Sequence, residues 1–154
     1  MGFFAISDDI AILREIQKDA SRSLQALAER LALSQSTLWR KLQDFRKSGV
    51  IKGEVALIDP AKVGLKVCVF THVTLTSHSE EATGAFQKLV DEHPEIVECY
   101  TISGNYDYML KVRVNDVEAY ETFLVHFLLR NPYVASVSSA FTLRELKYTT
   151  ELPL

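Results

Sequence analysis

The chain has 154 residues, of which 47% are hydrophobic and 24% are charged, with only 6 Gly and 4 Pro. This composition is typical of a globular protein and excludes the disordered, collagen-like and low-complexity classes. The length suits one ordinary domain or two small ones. No apolar run approaches the roughly 18 residues of a membrane-spanning helix, and the first residues lack the pattern of a secretion signal. We therefore expect a soluble, cytoplasmic protein.

The net charge of -3 is divided unevenly along the chain. Residues 1–60 carry nine basic and eight acidic side chains, whereas the remainder carries eight basic and twelve acidic ones. Within residues 40–52, five basic side chains meet a single acid, Asp44. A local basic patch suits a nucleic-acid partner even when the whole chain is acidic.

The first part of the chain, from Ser7 to Gly49, has the apolar spacing of three short helices. Their apolar stripes are Ile10, Leu13 and Ile16; Leu24, Leu27, Ala28 and Leu31; and Leu38, Leu42 and Phe45. Asp8 or Asp9 is expected to cap the first helix, and Ser34 the third. Only residues 32–34 separate the last two helices, which favours a steep helix-turn-helix crossing. Ala32 lies where this turn is expected to require a positive φ.

The third predicted helix has an apolar face and an opposite polar, basic face. With Leu38 at 0° and about 100° per residue, the polar side chains at positions 36, 40, 43 and 47 fall between roughly 140° and 200°. Such a face suits the DNA major groove, because Arg bridges guanine acceptors and hydroxyl groups contact phosphate or base. A solvated helix face is the alternative. The predicted DNA-binding residues are Ser34, Ser36, Thr37, Arg40, Lys41, Gln43 and Lys47.

After Gly49 the pattern changes to short extended pieces that end at Asp59-Pro60 and predict a linker. The later predicted elements are strand 67–76, helix 79–93, strand 96–103, strand 107–114, helix 116–130 and strand 134–148. This βαββαβ order predicts a ferredoxin-like antiparallel sheet with both helices on one face. The expected fold is α+β, with a three-helix (winged) helix-turn-helix domain at 1–52, a linker at 53–64 and a ferredoxin-like domain at 65–154.

The sheet face without helices is expected to be apolar and to bind a partner. Val69, Val73, Phe141 and Leu143 lie in strands that cannot turn all of their apolar residues toward two helices. An exposed apolar sheet face of this kind predicts a protein interface.

No residue pattern indicates a metal site or a disulfide framework. Cys68 and Cys99 lie in apolar surroundings without Cys or His at ligand spacing, so both are expected to be buried thiols. The 4 histidines form no compact ligand set, and each is interpreted as a surface or packing residue. They are His72, His78, His93 and His126. We expect neither a metal nor a catalytic residue.

Several short segments become characteristic when their order and spacing are taken together. They are residues 9–13, 27–34, 49–53, 59–60, 98–100, 104–108 and 143–148. By these segments the sequence resembles the Lrp/AsnC (feast/famine) family of transcription regulators over essentially its whole length. The resemblance implies a DNA-binding helix-turn-helix and a ferredoxin-like domain that pairs sheet face to sheet face into a homodimer. It also implies assembly of dimers into octamers or other even-numbered oligomers, with amino acids bound between dimers and no other cofactor.

The resemblance places the amino-acid effector at a hairpin and near the last strand. The implied effector-binding residues are Gly104, Asn105, Tyr106, Asp107, Ser138 and Ser139. Asp107 can accept the ammonium group of an amino acid, and backbone N–H groups of a glycine-containing turn can hold its carboxylate. The residues alone favour a plain hairpin turn at Gly104-Asn105, and the family resemblance favours the effector site. Asn105 stands where many relatives have Asp, which makes this loop less acidic.

The function that we predict is a sequence-specific DNA-binding regulator that responds to a small amino acid, without enzymatic activity. Sirohaem decarboxylases share the architecture, use histidines in the second domain and need no intact DNA-reading helix. The basic face of the third helix counts against that alternative. An amino-acid sensor that acts only through protein partners is a further alternative, which a lack of DNA binding at low salt favours.

Overall fold

The computed structural model describes residues 7–154 of the chain. These residues form two units, which are described separately. The first unit runs to Leu57 and also includes Lys147–Leu154, whereas the second unit is Ile58–Leu146.

The first unit contains the three helices that the sequence predicts. They are α1 (Ser7–Lys18), α2 (Leu24–Arg30) and α3 (Gln35–Lys47). Ser23 and Ser34 are the N-caps of α2 and α3, because their hydroxyl oxygens accept hydrogen bonds from backbone amides in the first turn. Asp8 and Asp9 lie inside the first turn of α1 and not before it. There they still favour the helix, since negative charge is stabilised at a helix N-terminus.

The helices enclose a small apolar core. Its buried residues are Ile12, Leu27, Ala28, Leu38 and Leu42. The stripes predicted for α2 and α3 therefore face inward. In α1 the fully buried residue is Ile12, which the predicted stripe of Ile10, Leu13 and Ile16 omits, while Ile16 is partly buried against the core.

The turn between α2 and α3 has the left-handed conformation that its length requires. Ala32 has a φ of 52°, and the amide of Leu33 donates a hydrogen bond to the carbonyl of Ala28 at 3.0 Å. A left-handed alanine is disfavoured relative to glycine, so tertiary packing of α2 against α3 holds it. The expected positive φ at this position is confirmed.

The segment after α3 forms no strand, although the sequence predicts extended pieces there. Residues 52–59 have neither helical nor strand structure, and Pro60–Val63 forms a short 3-10 helix capped by Asp59. An extended segment becomes a strand only when a neighbour satisfies its backbone groups, and none does so in residues 7–154.

The segment Lys147–Leu154 runs beside α1, whereas the sequence assigns it to the second domain. The side-chain amide of Gln17 donates to the Leu152 carbonyl and accepts from the Leu152 amide, both at 2.9 Å. The guanidinium of Arg14 donates to the Leu154 carbonyl at 2.6 Å. One amide side chain thus satisfies both backbone groups of Leu152.

The second unit has the predicted ferredoxin-like βαββαβ order. Its strands are β1 (Val67–Leu75), β2 (Ile96–Thr101), β3 (Tyr108–Val114) and β4 (Val134–Phe141), and its helices are α4 (Glu80–Glu92) and α5 (Val117–Phe123). The sheet is antiparallel in the order β2-β3-β1-β4. β1 therefore lies between the strand after the 104–107 turn and the strand that carries Ser138.

Two elements differ in extent from the sequence prediction. The helix predicted to Arg130 is α5 followed by a π-helix, Leu124–Leu128. The strand predicted to Tyr148 ends at Phe141, which pairs with Val69 near the start of β1. The next amide, Thr142, donates to the Cys68 carbonyl, and no strand pairing follows it within the described residues.

The sheet buries the face that the sequence assigns to a partner. Val69 and Val73 are fully buried in the core formed by the sheet, α4 and α5. Phe141 lies on the same face, and its ring contacts Tyr120 of α5 edge-on at 5.3 Å. Leu143 lies beyond β4 and is 98% exposed. The prediction of an open face carrying these residues is wrong for Val69, Val73 and Phe141, because alternation along each strand turns them toward the helices.

The opposite face, which we call the open sheet face, is mixed in character. It carries Phe70, His72 and Met109 together with charged side chains of neighbouring strands. Lys111 Nζ donates to Glu98 Oε1 at 2.7 Å across β3 and β2. Of the two thiols, Cys68 is buried and Cys99 is half-buried. Burial raises the pKa of the Cys99 thiol.

Candidate DNA interface and effector site

Helix α3 presents a polar surface opposite its buried side. Leu38 and Leu42 are buried, whereas Ser36, Arg40 and Lys47 are exposed. Gln43 is half-buried beside them. The helix thus carries hydroxyl, amide and cationic groups at its surface, which are the groups that contact base edges and phosphates.

Three hydroxyl groups cluster at the N-terminus of α3. Ser34 Oγ accepts from the Thr37 amide at 3.2 Å and donates to Thr37 Oγ1 at 2.8 Å. Ser34 Oγ also lies 3.1 Å from Ser36 Oγ. A helix N-terminus favours anions, so a phosphate placed here meets hydroxyl donors and the positive end of the helix dipole together.

The basic side chains of α3 divide into two groups. Lys41 forms an ion pair with Asp9 of α1, and Arg46 pairs with Glu54 at 2.6 Å. Arg40 and Lys47 make no ion pair with any residue in the range 7–154. Among the basic side chains of α3, the charges available to a DNA phosphate or base are therefore those of Arg40 and Lys47.

Trp39 lies beside this surface and is 56% exposed. Its side chain lines a groove of about 240 Å³ together with Leu24, Leu27 and Arg46. More than half of the Trp39 side chain therefore faces solvent beside the polar surface of α3.

The 104–107 turn connects β2 to β3 and lies beside the end of β1. Gly104 has a φ of 119°, a conformation that residues with a Cβ rarely adopt. The Asp107 amide donates to the Val73 carbonyl at 3.0 Å, and the Asp107 carbonyl accepts from Ile102 at 3.0 Å. These bonds fix Asp107, whereas Asn105 is exposed at the tip.

Both carboxylate oxygens of Asp107 already have partners. Oδ2 accepts from the Leu75 amide at 2.8 Å, and Oδ1 lies 2.8 Å from His78 Nε2. The hydrogen bond from His78, and then the one from Leu75, hold the pKa of this carboxyl below its ordinary value. Asp107 is consequently an anion held in a fixed orientation.

Tyr106 and Ser138 both neighbour His72, which the sequence predicts to be a surface or packing residue. The ring of His72 stacks on Tyr106 with centroids 4.8 Å apart. His72 also pairs with Ser138 across β1 and β4, so the two side chains share the open sheet face. Tyr106, His72 and Ser138 therefore form one polar and aromatic surface.

Ser139 lies on the opposite face of β4, among the core residues. Its hydroxyl is 2.5 Å from the Tyr120 hydroxyl, which in turn lies 2.7 Å from Thr71 Oγ1. Two neighbouring residues of a strand point to opposite faces, so Ser138 and Ser139 do not share a site. Asp107 and Ser138 lie on the two sides of β1, about 10 Å apart by the usual strand spacing.

His72 and His78 are the residues at this site that sequence reasoning missed. His72 lies in β1, and His78 follows it. In a ferredoxin-like sheet β1 lies between β3 and β4, so the predicted fold was the signal that could have brought these histidines to the effector site. No group of His, Cys, Asp or Glu within residues 7–154 is arranged to hold a metal ion. Likewise, no helix in this range is long and apolar enough to cross a membrane.

Two family models match this chain. The Lrp/AsnC ligand binding domain matches residues 68–152, and a winged helix-turn-helix DNA-binding domain matches residues 9–52. The first range contains the 104–107 turn and β4, and the second contains α1 to α3.

Relatives and solved structures match over nearly the whole chain. The DNA-binding transcriptional activator DecR of Escherichia coli is 36% identical over 146 residues, which are 95% of this chain and 96% of DecR. A transcriptional regulator of Neisseria meningitidis, solved as a complex with L-Met, has a TM-score of 0.93 at 31% identity and 97% coverage of both chains. An AsnC family transcriptional regulator of Agrobacterium tumefaciens has a TM-score of 0.91 at 42% identity, again with 97% coverage of both.

Proposed function

Because the chain belongs to the Lrp/AsnC family of transcriptional regulators, we propose that the outward face of α3 reads DNA and that the 104–107 turn binds a small amino acid. The protein is a DNA-binding regulator of transcription, and its second unit is the family's ligand-binding domain. The observation that carries the residue assignment is the separation of Arg40 and Lys47 from every internal ion pair of the described chain.

On DNA, Arg40 is proposed to bridge guanine acceptors in the major groove. The hydroxyl groups of Ser34, Ser36 and Thr37 bind a phosphate at the start of α3, and Lys47 binds a phosphate at its end. Gln43 lies between these positions and supplies an amide to a base edge. Lys41 supports the position of α3 through Asp9, and it contacts DNA only if it leaves that ion pair.

The proposed effector is a small amino acid whose ammonium group binds Asp107. A charged donor on a carboxylate forms the stronger class of hydrogen bond. Backbone amides of residues 104–106 receive the ligand carboxylate, and Tyr106 and Ser138 supply the surface beside it. The L-Met complex of the Neisseria meningitidis regulator, at 31% identity, supports an amino acid as the ligand class.

The active form is proposed to be a homodimer that assembles into larger even-numbered oligomers, including an octamer, with effectors bound between dimers. Exposed apolar residues support this assembly, since Val55, Leu57 and Ile58 are more than half exposed in one chain. A regulator of transcription has to reach the chromosome, so we place it in the cytoplasm. Sedimentation of the full chain at micromolar concentration tests the assembly, and a monomer would contradict it.

The experiment that tests the function is selection of bound sequences from random double-stranded DNA by the purified full chain. A shared motif is expected, and its affinity is then measured with and without each of the twenty amino acids. If no motif emerges at low salt, a sensor acting through proteins replaces this proposal. If purified protein carries porphyrin absorbance and decarboxylates sirohaem, the enzyme alternative replaces it.

A further inference from the structure

Both oxygens of the Asp107 carboxylate are hydrogen-bonded to other residues of the same chain. Its oxygen Oδ1 lies 2.8 Å from His78 Nε2, and its oxygen Oδ2 accepts the Leu75 amide. An imidazole N–H and an ammonium group are both donors, and they compete for the same lone pairs on Oδ1. We propose that His78 is an internal competitor for the effector site, so that an amino acid binds by exchanging its ammonium group for His78. This inference rests on the proposed effector function of Asp107.

The two partners differ in how firmly the fold holds them. The His78 side chain is 74% exposed, whereas the Asp107 side chain is 21% exposed. Asp107 is fixed by its own backbone bonds to Val73 and Ile102. The pair therefore opens by movement of His78, while the carboxylate remains in place.

The carboxylate does not need His78 for its orientation. The Leu75 amide binds Oδ2 at 2.8 Å and keeps that oxygen directed toward the end of β1. Oδ1 then faces the same direction after His78 leaves, which is the geometry that an incoming ammonium group requires. His78 thus lowers affinity by occupation and adds nothing to the shape of the site.

Release of His78 requires no refolding of its segment. Thr76 is fixed by its amide, which donates to the Tyr133 carbonyl at 2.8 Å, and Ser79 is fixed as the N-cap of α4. The backbone on both sides of His78 is therefore held by other residues. A change of side-chain rotamer is enough to free Oδ1, and such changes in exposed residues are fast.

An exchange site selects for ligands that replace the lost hydrogen bond. A free amino acid does so with its ammonium group, whereas an N-acetylated amino acid has no charged donor and leaves Oδ1 to His78. The site therefore favours ligands with a free α-ammonium group over N-acyl derivatives.

The test compares His78→Ala, His78→Gln and wild type by calorimetry with the full chain. The probes are the twenty L-amino acids, with L-methionine and N-acetyl-L-methionine as a matched pair. Because a hydrogen-bonded pair with an exposed partner contributes little, His78→Ala should bind the preferred amino acid about two- to fivefold more tightly than wild type. His78→Gln retains a donor for Oδ1 and should stay closer to wild type. His126→Ala, a histidine of the π-helix outside this site, should not change the affinity.

Each outcome has a distinct meaning. Unchanged or weaker binding by His78→Ala overturns the competition, and weaker binding restored by Gln assigns His78 to the binding surface itself. If none of the twenty amino acids binds wild type or His78→Ala, the proposed effector function fails and the inference fails with it. NMR of the imidazole signals of wild type adds a second readout. Titration with the preferred amino acid should shift the His78 signals to those of a ring that has lost its hydrogen bond to Asp107, and unshifted signals overturn the exchange.

Discussion

The outward face of α3 and the 104–107 turn are both proposed binding sites, but they differ in whether their charged groups already have partners within the chain. On α3, Arg40 and Lys47 extend into solvent without an ion pair in the described chain. At the turn, Asp107 is bound to His78 and Leu75. Ser139, which the sequence assigns to the same site, is bound to Tyr120.

This difference predicts two kinds of binding. A surface with free charges gains contacts as DNA approaches, so its affinity depends on phosphate contacts and falls with salt. A site with occupied groups gains only the difference between the new contacts and those it gives up. The polar groups of the α3 surface are thus free to contact DNA in a single chain, whereas effector binding at Asp107 requires the His78 side chain to leave first.

The largest effect is expected from removal of the anion at the turn. Asp107→Ala should weaken amino-acid binding by at most about 1.5–3 kcal/mol, because the ligand ammonium loses a hydrogen bond to a charged group but no longer has to displace His78. Calorimetry with the preferred amino acid measures the loss. Asp91→Ala, which removes an exposed carboxylate of α4, is the matched control. Equal binding by wild type and Asp107→Ala would make Asp107 a hairpin residue only.

A similar but sequence-dependent effect is expected on α3. Arg40→Ala should weaken binding to the selected DNA motif by about 1–3 kcal/mol and relax specificity at the base pair that Arg40 reads. Lys41→Ala is the matched control, since it removes the same charge from the neighbouring residue but breaks the ion pair with Asp9. Equal losses of specificity in the two variants would contradict the division between free and paired basic residues.

The α3 surface was predictable from sequence because helical periodicity determines which side chains share a face. Leu38 and Leu42 are buried and Ser36, Arg40 and Lys47 are exposed, as the angles require. The pairing of Lys41 with Asp9 was not predictable in this way, because it joins two helices. Periodicity within one helix contains no information about the neighbour.

The second unit was predictable in topology and less so in detail. The order of elements was sufficient for the ferredoxin-like sheet, but β1 carries apolar residues on both faces, so its sequence alone does not tell which face packs against the helices. The contact of His78 with Asp107 joins residues 29 positions apart. It depends on where β1 and β3 end, and strand ends are set by pairing and not by the local sequence.

A smaller effect is expected at the end of α3. Lys47→Ala should lower affinity for all DNA sequences alike, because a phosphate contact contains no information on the bases. The slope of log affinity against log salt concentration should decrease by about 1, as one counterion contact is lost. Binding titrations at several salt concentrations, on the selected motif and on unrelated DNA, measure both quantities. A loss confined to the motif would show that Lys47 reads a base.

The smallest effect is expected on stability in acid, where the comparison can be made without any ligand. The hydrogen bond from His78, and then that from Leu75, hold the pKa of Asp107 below its ordinary value of 3.8. The folded protein therefore binds this proton less readily than the unfolded chain does. The ionised carboxylate stabilises the fold at pH values above its ordinary pKa, and this contribution disappears as the pH falls through the lower pKa of the folded state. Asp107→Asn should accordingly melt below wild type at pH 7, by at most about 4 °C for a surface pair, and the difference should shrink at pH 3. Lys47→Ala removes a side chain that has no ion pair in residues 7–154 and should leave the melting temperature unchanged at both pH values. A difference between Asp107→Asn and wild type that is equal at pH 7 and pH 3 would mean that Asp107 is not held as an anion by its internal partners, and the contrast between the two sites would lose its physical basis.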